Sequence, residues 1–169
     1  MNNTVNNTLN NTTDCKVGYY RADFASYAEK KYPIATAINS ANQLRTYHES
    51  NKHTYQFNQA HSAQPSMEDE VFGENSQYHR EEFYKHKTLL LIALEESSGS
   101  IRHKVESVTR ANGSLKISIT RIMPEIGTAD MAQWHIVLAL NKLPQETKID
   151  ITSTDQINNP NSARTTDYQ

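Results

Sequence analysis

Nearly every apolar run able to build a core lies in one stretch, Thr88 to Leu140, and turn residues interrupt that stretch at regular intervals. A chain so arranged is constrained to fold as strands joined by short turns. Thr88 to Leu94 is almost uninterrupted in apolar residues, which predicts a strand covered on both faces. Glu95 to Ser100 is polar and contains Gly99, a turn. Ile101 to Thr109 places Ile101, His103 and Val105 on one face, although Val108 breaks the alternation. Asn112-Gly113 is the strongest short-range hairpin signal. Leu115, Ile117 and Ile119 share one face of the return strand, which Pro124 ends. Glu125 to Asp130 is a second polar loop. Ala132 to Leu140 alternates Trp134, Ile136, Leu138 and Leu140 with the residues between them, so Trp134 is read as core, and Lys148 to Ile151 supplies a last strand.

Upstream, Ile34 to Ile38 after Pro33 reads as an edge strand. Asn39 or Ser40 can cap a helix through Asn51 that buries Leu44 and Tyr47. Lys52 to Tyr78 is a loop with a turn of helix near Met67 to Phe72. Tyr78 to Lys87 is helical, anchored by Phe83 and Tyr84, with Glu81 or Glu82 paired to Lys85 or His86. The expected fold is α+β and β-rich: a small antiparallel sandwich or open barrel of about five strands, preceded by one or two helices. Residues 1–16 are expected to form a flexible Asn/Thr-rich tether, 17–152 a single domain and 153–169 a flexible tail.

Composition narrows the function. A mean hydropathy of −0.76 suits a compact domain with polar ends. A net charge of −2 gives no general attraction for nucleic acid, and no apolar run approaches the ~18 residues of a membrane span. No signal peptide precedes Cys15, the single cysteine, so an internal disulfide is impossible and a free thiol, an intermolecular bridge or a lipid attachment stay open. Asn2, Asn6, Asn10, Asn11 and Asn112 match the Asn-x-Ser/Thr pattern, which an Asn-rich tract produces by chance. Five glycines form no phosphate-cradling motif, and the seven histidines lack metal-ligand spacing, so no cofactor or metal is expected.

The order of elements resembles the bacterial extracytoplasmic domain named for the protease-complex subunit PrcB. The likeness runs over roughly residues 34 to 152: short strand, helix, loop, aromatic helix, apolar strand, the Ser98-Gly99-Ser100-Ile101 turn, the Asn112-Gly113 hairpin and the strand ended by Pro124. The segments Ser97 to His103 and Arg121 to Trp134 also resemble uncharacterised exported proteins of Gram-positive bacteria. Both likenesses imply a β-rich domain outside the cytoplasm that works by protein contact rather than catalysis.

The two polar loops are the candidate binding surface, through Ser98, Gly99, Ser100, Arg102, His103, Arg121, Glu125, Thr128 and Asp130. The bland alternative is that Arg102 or Arg121 pairs with Glu125 or Asp130 and pins the loops together. No catalytic residue is assigned, and the expected partner is another protein. A rival reading is a hydrolase using Ser98 or Ser100 with His103 or His135 and Asp130 as orienter. A third is a small-ligand binder at a barrel mouth lined by Trp134 and Tyr84.

Overall fold

The computed structural model describes residues 15–23, 29–61 and 64–158. Among them are seven strands and two α-helices: β1 (Lys16–Asp23), β2 (Ile34–Ile38), α1 (Ala41–Asn51), α2 (Glu81–His86), β3 (Lys87–Glu96), β4 (Arg102–Ala111), β5 (Ser114–Pro124), β6 (Ala132–Asn141) and β7 (Lys148–Asn158). Four strands form an antiparallel sheet in the order β1-β6-β3-β2, and three form a second sheet in the order β4-β5-β7. The fold is therefore the expected β-rich α+β sandwich and not a barrel.

The first sheet is the middle of three layers. Leu89, Leu91 and Ala93 of β3, with Val137 and Ala139 of β6, pack on Leu44, Tyr84 and Val71 of the helical layer. The alternate residues Leu90, Ile92, Ile136, Leu138 and Leu140 pack on Val105, Val108, Leu115, Ile117 and Ile119 of the second sheet. β3 meets the expectation of two covered faces. β6 goes beyond it, because Gln133 and His135, on the face opposite Trp134, are buried as well. Each such aliphatic side chain contributes about 1.5–3 kcal/mol by leaving water.

Local signals account for the connections. Ser40 caps α1 by accepting from Gln43 N–H at 3.1 Å, worth about 1 kcal/mol. Leu44 is fully buried, whereas Tyr47 is half-buried. Lys85 pairs with Glu82 across α2 at 2.6 Å. Within 52–80 the chain makes a π-helical turn at Glu68–Phe72 and a 3-10 turn at Gln77–His79. Asn112 (φ 51°) and Gly113 (φ 75°) form the hairpin turn, and Ala111 pairs with Ser114 across it. The break in alternation at Val108 is a β-bulge: the β4–β5 register shifts between Val105 and Ser107, returning Val108 to the core side.

Three sequence expectations need correction. β1 was not anticipated in the Tyr-rich segment before Pro33, and it pairs with β6 along its whole length. β7 is parallel to β5, because the chain returns between them through β6 in the other sheet. β7 also continues past the boundary set at 152, to Asn158. The expected tether lies outside the described residues apart from Cys15 and Lys16, as do the matches at Asn2, Asn6, Asn10 and Asn11 and the tail after Asn158. Asn112 sits exposed in its turn. No helix among the described residues is long and apolar enough to cross a membrane.

Candidate functional site: a charged cleft at one end of the sandwich

The β3–β4 and β5–β6 connections leave the same end of the two sheets, since β3 to β6 alternate in direction. Both candidate loops therefore meet there. Ser98 Oγ lies 2.8 Å from Ser100 Oγ, and both hydroxyls reach Thr128 Oγ1, at 3.1 and 3.2 Å. Thr128 N–H donates to Ser100 Oγ at 2.9 Å, and Gly99 N–H donates to the Asp130 carbonyl at 2.8 Å. Arg21 of β1 crosses over this junction to donate to Asp130 Oδ2 at 2.8 Å. A Cβ on Gly99 would meet the tips of the Arg21 and Asp130 side chains, so a larger residue there would displace the Arg21–Asp130 pair. Hydrogen bonds from Thr128 and from backbone amides, with Arg21 adding, hold the Asp130 carboxyl below its ordinary value.

Beneath the loops lies a buried charge network. The Glu96 side chain, 3% exposed, accepts from His103 Nε2 at 2.7 Å and from Arg121 Nε and Nη2 at 2.9 and 2.5 Å. Arg121 also donates to Asp155 of β7 at 2.7 Å, tying both sheets to one carboxylate. Burial alone would raise the Glu96 carboxyl, but the hydrogen bonds from Arg121 and His103 outweigh it and bring it to about 2. Glu96 is ionised at neutral pH, so His103 Nε2 is the donor and its buried Nδ1 is left without a partner. The His103 and Trp134 rings make a T-shaped contact with centroids 5.1 Å apart, and the Arg102 guanidinium lies over the indole at 5.6 Å.

A cleft of about 270 Å³ opens beside this network, lined chiefly by Tyr19 and Arg21 of β1, His61 of the loop after α1, Arg102 and His103 of β4, and Trp134 of β6. The structure thus brings the predicted residues to this junction, network and cleft, except Glu125, which is exposed, follows Pro124 in the chain and does not line the cleft. The pairings expected of the arginines do not form. Arg121 turns inward to Glu96, Arg102 donates to the Gly99 and Ile101 carbonyls, and Asp130 is held by Arg21. Arg21, His61 and Glu96 were missed as site residues. Arg21 and His61 belong to segments far in sequence from the loops, and Glu96 was read as a turn residue because polar neighbours follow it.

Neither serine–histidine pair of the hydrolase reading forms. His103 is committed to Glu96, and His135 lies on the opposite face of β6, its Nε2 2.8 Å from Tyr47 Oη. Burial pushes the His135 imidazole down to about 3, with Lys30 adding, so it is neutral at pH 7. Tyr84, on the buried face of α2, packs in the helical layer and does not share the cleft with Trp134. Burial pushes the Cys15 thiol up to about 11, which keeps it protonated at neutral pH. No group of three or more His, Cys, Asp or Glu side chains among the described residues could hold a metal ion. No protein-family model matches this chain, and no curated protein or solved structure does either.

Proposed function

We propose that the chain is a noncatalytic protein-interaction module that docks through the end of the sandwich carrying the two loops. The carrying observation is that the two large hydrophobic side chains exposed among the described residues are both there: Ile126 at 88% and Ile157 at 70%. Ile126 follows Pro124 and Glu125 just past the end of β5, and Ile157 pairs with Met123 near the C-terminal end of β7. A rigid loop that presents an aliphatic side chain to water is a favourable anchor for a partner, because little entropy is lost when it is buried. The hydroxyl cluster of Ser98, Ser100 and Thr128 supplies that rigidity. The resemblance to the PrcB-type domain supports a partner outside the cytoplasm, within a protease or cell-envelope complex.

The test is capture followed by reconstitution. Wild type, the double variant Ile126→Asp/Ile157→Asp, and a control Lys116→Glu on the exposed face of β5 are used to capture proteins from a cell-envelope extract. A species held by wild type and control is then purified and titrated. The double variant is expected to bind it at least about 30-fold more weakly, as for loss of a ~2 kcal/mol anchor, with its thermal melt unchanged. Equal binding by wild type and double variant would remove this end of the sandwich as the docking face.

A further inference from the structure

The cleft contains hydrogen-bonding capacity that the protein does not use. Among the side chains that line it, Trp134 Nε1, Arg21 Nε, His61 Nε2 and His103 Nδ1 are all buried and have no hydrogen-bond partner. The roles of three of them follow from chemistry. Indole and guanidinium nitrogens only donate. His61 Nδ1 lies 3.0 Å from Arg21 Nη1, which must be the donor, so Nδ1 accepts and the ring carries its proton on Nε2, 3.8 Å from Asp23 Oδ1 and beyond hydrogen-bond reach of it. The three side chains that carry these donors line the same small cleft. A buried donor without a partner is destabilising, and a cluster of them lining one cleft is suited to an acceptor-bearing ligand.

Charge identifies the acceptor. Arg102 bonds only to backbone carbonyls and has no carboxylate within ion-pair distance among the described residues, so its charge over the Trp134 face is uncompensated. Arg21, in contrast, is shared between Asp130 at 2.8 Å and Asp23 at 3.7 Å. One free positive charge beside two fixed carboxylates favours a single negative charge and penalises a dianion such as phosphate. The volume of about 270 Å³ lies just below the ~300–1,000 Å³ usual for drug-sized ligands, so the guest is small. We infer that this cleft binds one carboxylate group, from a small organic acid or from the C-terminus of a polypeptide, with Arg102 as the ion-pair partner and Trp134, Arg21 and His61 as donors.

Trp134 is the only tryptophan in the chain, so its fluorescence reports on the cleft alone. The whole chain is titrated with N-acetyl-trialanine as the free acid, with the same peptide as its C-terminal amide, with acetate, and with inorganic phosphate. The free acid or acetate is expected to give a saturable change that the amide and phosphate do not. Arg102→Ala is expected to weaken that binding at least about tenfold, the scale of one charge-assisted contact, and Arg102→Lys to restore part of it. Free-acid peptide binding more than about tenfold tighter than acetate identifies a chain terminus as the source, and equal binding identifies a small acid. The inference is overturned if neither carboxylate gives a saturable change, if the amide or phosphate binds as well, or if Arg102→Ala has no effect. The readout is independent of Ile126 and Ile157, so failure here leaves the docking proposal to its own test.

Discussion

Replacing Glu96 by glutamine is expected to remove about 3 kcal/mol of stability at neutral pH and to lower the melting temperature by several degrees. The carboxylate is the common acceptor for His103 and Arg121, and at 3% exposure it has almost no water to replace them. Glutamine offers one oxygen, and its amide nitrogen would face donors. Linkage gives the same magnitude. A carboxyl moved from 4.5 to about 2 by folding corresponds to roughly 3 kcal/mol. Its folded value is the lower one, so this stabilisation is complete above about pH 5 and is lost as the pH falls toward 2. Urea unfolding of wild type and Glu96→Gln should therefore differ most near pH 7 and converge in acid. Parallel curves across that range would show that the pair contributes packing and not charge.

The second large effect concerns His135. Its imidazole lies in the aromatic core between Tyr55 and Phe57, with ring centroids 4.7 and 5.3 Å away, and its folded-state value is about 3 against 6.5 for the free side chain. Folding thus favours the neutral ring. Stability from this group is intact above about pH 6.5 and falls as the unfolded chain takes up the proton, by about 3 kcal/mol at pH 4. Replacing His135 alone would strand the Tyr47 hydroxyl, so the informative variant is Tyr47→Phe/His135→Phe, which removes both members of the hydrogen bond. Its stability is expected to be nearly flat between pH 7 and 4.5, where wild type declines. A decline of equal slope in the double variant would assign the acid sensitivity to other groups.

The sequence was most informative where local chemistry decides the outcome. Asn112-Gly113 sets a turn by itself, and the alternation of Trp134, Ile136, Leu138 and Leu140 identifies the face turned to the second sheet. It was least informative where distant partners decide. β1 carries Lys16, Tyr19, Tyr20 and Arg21, a polar set that becomes a strand only because β6 offers it an edge. β7 is mostly exposed and holds its place by parallel pairing with β5, for which no turn signal exists. At the cleft, the loops were legible as polar turns at strand ends, and the structure places them together. Their anchors were not. Arg21 reaches Asp130 across 109 positions of chain, and Glu96 gains its role only when β5 brings Arg121 beside it.

The middle sheet has a mechanical consequence. Successive residues of β3 and β6 are committed alternately to the helical layer and to the second sheet, so the two apolar compartments share a single wall. Stripping away either cover wets one side of strands that the other cover still needs. Helical and β layers are thereby obliged to come apart together, and a force or denaturant applied at one flank is felt at the opposite one.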